Sequence, residues 1–123
     1  MHRIATYVFI AVGGAAGAGV RWAVDESVGN DGFPWATLLV NVAGAALLAF
    51  VANHRFHPST VAVLGLGFCG GLTTLSTLSV EVVQLADDDR AAMGLVYVLS
   101  SVILGVAAFI AVRRITVDQL GDT

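Results

Sequence analysis

Gly67-Phe-Cys-Gly-Gly-Leu-Thr-Thr-Leu-Ser-Thr-Leu78 decides how this chain is read: a hydrophobic segment long enough to cross a bilayer carries a glycine pair and a hydroxyl cluster at its middle. In hydrocarbon every backbone N–H and C=O needs a partner. Irregular backbone at that depth is therefore tolerated only where it is buried in protein or lines a polar cavity. The stretch reads as a broken helix with a break at Gly70 and Gly71. A break there would expose carbonyls suited to a cation and the positive end of a half-helix suited to an anion.

Around it, composition points the same way. The 123 residues are 57% hydrophobic and 12% charged, with mean hydropathy +0.84, outside the range of ordinary soluble domains. Four stretches, Ile4 to Val20, Trp35 to Asn53, Phe56 to Val80 and Ala91 to Val112, contain no Asp, Glu, Lys or Arg. The first two approach and the last two exceed the roughly 20 residues that a spanning helix needs. The expected architecture is an all-α membrane domain over residues 1–123, with helices near 4–24, 35–53, 58–84 and 91–112 and the third one broken. The first stretch also has the outline of a secretory signal, since His2 and Arg3 precede an apolar run ending in small residues. Its glycines argue for a bundle helix instead. Gly13 with Gly17 and Gly67 with Gly71 form GxxxG, and Ala45 with Ala49 is the small-residue variant that lets helix backbones approach.

Cys69 is the one cysteine, too few for an intrachain disulfide or a Cys/His zinc site, and reads as a small buried hydrophobe. His2, His54 and His57 share no ligand spacing and read as solvated loop residues. Four spans put the N-terminus, the 54–58 loop and the C-terminal tail on one side with Arg3, Arg55, Arg113 and Arg114; Arg21 and Arg90 fall on the other. Lys and Arg near helix ends mark the inner face, so both termini are expected in the cytoplasm. Asp25, Glu26, Asp31, Asp87, Asp88 and Asp89 crowd the opposite side and contribute little to that rule. Nothing in the chain has the basic character of a nucleic-acid binder.

Polar residues inside the spans are where function is sought, because each is costly in lipid unless it faces protein or water. Asn41 stands alone in the second stretch and reads equally as a pore residue or as interhelical glue. Thr73, Ser76 and Thr77 share one face by helical spacing, as do Tyr97 and Ser101 in the fourth stretch. No acid or base lies near the midplane, and Glu81, the nearest acid, reads as interfacial. The chain also lacks the glycine-rich loop ending in Lys and Ser or Thr that cradles nucleotide phosphates. These parts describe a small-ion pathway and do not name the ion. A small multidrug exporter of similar size is the rival transporter class, but it would need a glutamate in the first helix, and Ile4 to Val20 holds no acid.

Three runs resemble one family, the CrcB/Fluc fluoride channels. Gly13-Gly-Ala-Ala-Gly-Ala-Gly-Val-Arg21 is similar to its GGxxGAxxR pattern, Thr37-Leu-Leu-Val-Asn-Val-Ala-Gly44 to its TLxVNxxG, and Gly67 to Leu78 to its GFxGGxTTFSTF. The resemblance implies an antiparallel dual-topology dimer in the cell membrane, with fluoride pathways along the subunit interface and a structural sodium ion. It implies sodium ligation by the carbonyls of Gly70 and Thr73, and a fluoride path past Asn41, Ser76, Thr77, Tyr97 and Ser101. Arg21 would stand in the vestibule. The family's third helix places two phenylalanines in the pore, and Leu75 and Leu78 stand at those positions here. Gly105 likewise replaces a polar residue that often continues the track. Combined with the four-to-two arginine split, these departures extend the expectation from a homodimer to a heterodimer with an inverted homologous chain that retains the phenylalanines. In that arrangement this chain alone conducts weakly or not at all.

Overall fold

The computed structural model describes residues 2–29 and 32–121, and it is helical nearly throughout. Asp31, counted above among the acidic residues, lies outside the described residues. The chain runs α1 (His2–Val28), α2 (Trp35–Asn53), α3 (Pro58–Val61), a π-helical segment (Ala62–Cys69), α4 (Gly70–Leu72), α5 (Leu75–Asp87) and α6 (Ala91–Gly121). Among the described residues four helical spans are long and apolar enough to cross a membrane: Ile4–Val28, Trp35–Asn53, Pro58–Asp87 and Ala91–Gln119. The first and last helices extend beyond the charge-free stretches at 27 and 31 residues. At 1.5 Å per residue α6 is about 46 Å long, against roughly 30 Å of hydrocarbon. Arg113 and Arg114 are therefore helical residues and not part of a loose tail.

The third span corrects the expected position of the break. Gly70 and Gly71 are helical, and the interruption falls at Thr73 (φ −81°, ψ 155°) and Thr74 (φ −150°, ψ 121°). Glycine tolerates a break without causing one. Here the extended conformation suits two β-branched threonines, whose χ1 stiffness disfavours a helix. The same shift undoes the expected stripe of Thr73, Ser76 and Thr77, because helical periodicity does not carry across two extended residues. Helix resumes at Leu75 with Thr74 as its N-cap: Thr77 N–H donates to Thr74 Oγ1 at 3.1 Å.

The glycines make contacts. α1 packs on the π segment and α4, while α2 packs along α6. A methyl group built on Gly17 would lie 2.8 Å from Leu72 N, and one on Gly71 would lie 2.9 Å from Gly14 C. The two GxxxG stretches thus bring the backbones of the first and third spans together. Thr37 and Tyr97, each near the start of its helix, both reach Glu81, so α2 and α6 run the same way. The core between them is built on Leu38, Leu85 and Tyr97. Large apolar side chains remain outside, among them Val8, Phe9, Leu95, Val102 and Ile103, as a membrane-embedded surface requires.

Candidate functional site

The break at Thr73–Thr74 is the centre of the site, and two side chains and one glycine backbone from other helices close on it. Asn41 in α2 donates Nδ2–H to the Thr74 carbonyl at 3.0 Å and accepts the Thr74 N–H on Oδ1 at 2.8 Å, as a paired peptide would. Arg21, from α1, donates Nη1–H to the Thr73 carbonyl at 3.2 Å. Gly44 lies one helical turn beyond Asn41 and presents its backbone to the Thr73 methyl, which any side chain at 44 would displace. Thr73 itself stays tied to the preceding turn, its N–H and Oγ1–H both donating to the Cys69 carbonyl at 3.0 Å.

Beyond the break a hydroxyl relay opens α5. Thr74 Oγ1–H donates to Thr77 Oγ1 at 3.0 Å, and the Ser76 hydroxyl lies 3.3 Å from Thr74 Oγ1. Thr74 is buried, whereas Ser76 and Thr77 are exposed. The helical set expected from the sequence holds Ser76 and Thr77 but leaves out Thr74, whose signal is its place three residues before Thr77, the spacing of an N-cap.

The candidate residues divide between two depressions flanking the break. An open groove of about 430 Å³ is lined by Asn41, Gly70, Thr73, Leu75, Leu78 and Ser101. A cavity of about 220 Å³ holds Arg21 and Thr77 with Asp25 and Thr37. Ser101 Oγ–H donates back to the Tyr97 carbonyl, so its lone pairs remain for the groove. Tyr97 is elsewhere: fully buried, it donates its phenol to Glu81 Oε2 at 2.6 Å, while Thr37 Oγ1–H donates to Oε1 at 2.9 Å. Glu81 is thus a half-buried carboxylate held by two helices. Thr37 is a neighbour of the site that its sequence did not mark, though it precedes Asn41 by one helical turn.

Several smaller expectations are also placed. Cys69 is free and buried. His57 is exposed, but His54 is only half so: its ring stacks on Phe56 with centroids 4.2 Å apart, and its Nδ1 is buried without a hydrogen-bond partner. Among the described residues no three His, Cys, Asp or Glu gather as metal ligands. A cation here would need backbone oxygen, and the break supplies it. In an unbroken helix Thr74 N–H would bond the Gly70 carbonyl; it bonds Asn41 instead, which leaves that carbonyl without its helical donor beside the groove. Uncharged carbonyl oxygens of this kind fit a hard monovalent cation such as sodium.

A four-span bundle whose third span breaks beside an open groove, lined mainly by apolar side chains with Asn41, Thr73, Thr74 and Ser101 among them, has the outline of a membrane transport protein. The sequence comparisons agree with that class. The family model described as CrcB-like protein, Camphor Resistance (CrcB), matches residues 8–112. A fluoride-specific ion channel from Rhodococcus jostii (FluC 2) is 46% identical over 104 residues, covering 84% of this chain and 91% of the relative. One from Hahella chejuensis is 42% identical over 119 residues, 88% and 94% of the two chains. One from Methanopyrus kandleri is 40% identical over 105 residues, 80% and 79%. The chain belongs to the CrcB family, whose curated relatives are ion channels and not enzymes.

Proposed function

We propose that this chain is the subunit of a fluoride-selective channel that releases cytoplasmic fluoride passively. The observation that carries the reading is the break at Thr73–Thr74, opening beside a groove that gathers Asn41, Gly70, Thr73 and Ser101 in a chain matched to CrcB over residues 8–112. Fluoride is small and strongly hydrated, so a path must replace its water with closely spaced donors. Asn41 retains one Nδ2 hydrogen beyond its bond to Thr74 and Thr77 retains its O–H, while the Ser76 and Ser101 hydroxyls add theirs by turning from Thr74 Oγ1 and the Tyr97 carbonyl. The N-terminus of α5 adds a dipole favourable to an anion. Arg21 lends positive charge beside the same break. Tyr97 acts through Glu81, fixing α5 against α6.

A single copy leaves the groove open on one side, which fits assembly as an antiparallel dimer with the pathways along its interface and both termini in the cytoplasm. A sodium ion shared there would be held by the Gly70 carbonyl and by the second lone pair of the Thr73 carbonyl, which already accepts from Arg21, and would fix the two broken helices relative to each other. No energy source is needed. Hydrogen fluoride enters as a neutral weak acid, dissociates in a less acidic cytoplasm, and the trapped anion leaves down its gradient.

The test is fluoride-electrode efflux from liposomes holding the purified chain. Fluoride should leave without nucleotide or an imposed proton gradient, while chloride is retained; equal release of both anions would overturn the assignment. A second reading, an inverted heterodimer, is favoured by Leu75, which is 77% exposed where the family's resemblance implies a pore phenylalanine. Silence of this chain alone with rapid efflux beside a homologous chain would select it.

A further inference from the structure

We infer that Asn41 is the positioning residue of the cation site, because it takes the one N–H whose return to the helix would close the Gly70 carbonyl. The inference rests on the sodium reading above and assigns the group that keeps that site open. Helical bonding, π-type through Ala62–Cys69 and α-type over the last turn, continues up to Thr73, whose N–H reaches Cys69 O at 3.0 Å. The next donor in sequence defects. Thr74 N–H meets Asn41 Oδ1 at 2.8 Å, and Asn41 Nδ2–H meets the Thr74 carbonyl at 3.0 Å, so both polar groups of this residue are satisfied outside the helix.

Several features make the pairing decisive. Thr74 is 8% exposed, so water does not compete for its backbone. Leaving a buried N–H without a partner is costly enough to drive it back to Gly70 if Asn41 were apolar. Gly44, one turn further along α2, allows the Thr73 methyl against the helix backbone and so brings Thr74 within reach of Asn41. Arg21 takes the Thr73 carbonyl from the α1 side, leaving Thr74 to α2. The acceptor half of the Asn41 amide is therefore the half that controls the Gly70 carbonyl.

The experiment is thermal unfolding of the purified dimer in detergent, titrated with sodium against potassium at constant ionic strength. The unmodified protein should gain stability with sodium; indifference to sodium overturns the sodium reading and the inference with it. Asn41→Leu should weaken the apparent sodium affinity by about 10-fold or more, as loss of an outer-shell partner does. Asn41→Asp, which still accepts the Thr74 N–H, should keep the sodium response. A sodium midpoint unchanged in Asn41→Leu, or lost equally in both variants, would overturn the assignment while leaving the sodium reading intact. Amide exchange in the unmodified protein gives a check that needs no variant. Thr74 N–H should be protected even without sodium, and rapid exchange there would refute the role given to Asn41.

Discussion

Tyr97, fully withdrawn from solvent, donates its phenol to Glu81 Oε2 across 2.6 Å and so ties the start of α6 to the second half of the broken span. Thr37 completes the arrangement from α2 at 2.9 Å. One carboxylate thereby joins three spans with both oxygens satisfied. Tyr97→Phe leaves Oε2 unpaired beside a sealed core and is expected to destabilise the protein by about 1–3 kcal/mol. Thr37→Val should cost a similar amount. Because both variants strip the same carboxylate, denaturant unfolding of the pair should give a non-additive double-mutant cycle. Additive costs would mean that the two hydroxyls act independently.

The close approach of the first and third spans makes a sharper packing prediction. A Cβ at Gly17 would sit 2.8 Å from Leu72 N and 3.1 Å from Phe68 C, and at Gly71 it would sit 2.9 Å from Gly14 C and 3.0 Å from Gly14 Cα. These are backbone atoms, which move only if the helices separate. Gly17→Ala and Gly71→Ala should each cost about 1–3 kcal/mol in unfolding measurements, as overpacking does. Gly19, with nothing within 4 Å of an added Cβ, serves as the control. Gly19→Ala should fall within about 0.5 kcal/mol of the parent.

What the sequence disclosed follows from which interactions are local. Span number and the third span's irregularity were legible because hydrophobic length and composition are properties of contiguous residues. The position of the break was not, since it depends on Asn41, 33 residues upstream, outbidding Gly70 for the Thr74 N–H. The partners of Glu81 were hidden for the same reason: Thr37 and Tyr97 come from other helices. Helical spacing grouped Thr73 with Ser76 and Thr77 only under the assumption of an unbroken helix. Once the break is placed, Thr74 takes over as the residue joining that hydroxyl set.

Gly44 and Thr73 are a matched pair. The Thr73 methyl occupies the space of a side chain at 44, so Gly44→Ala must push the break away from α2 and weaken the Asn41 pairing. The expected result is a loss of thermal stability together with slowed fluoride efflux. Thr73→Ser removes only that methyl and keeps the hydroxyl that bonds Cys69 O. The double variant Gly44→Ala/Thr73→Ser should therefore recover most of what Gly44→Ala loses. No recovery would show that the close approach at Gly44 serves something other than the Thr73 methyl.

Leu75 and Leu78 should respond unequally to phenylalanine. Leu75 is 77% exposed, and a ring there meets no packed neighbour within the chain. Leu78 is partly buried against the Leu38, Leu85 and Tyr97 core, where a larger side chain has to displace others. Leu75→Phe is expected to leave unfolding within about 0.5 kcal/mol of the parent, and Leu78→Phe to cost about 1–3 kcal/mol. Their effect on transport should point the same way for both. A phenylalanine edge carries partial positive charge, which leucine lacks, so each ring added beside the groove should raise fluoride efflux from liposomes. The double variant should be the fastest of the series. If Leu75→Phe folds normally and efflux stays at the parental rate, fluoride passes this position without an aromatic contact, and the hydroxyls of α5 and α6 carry the path.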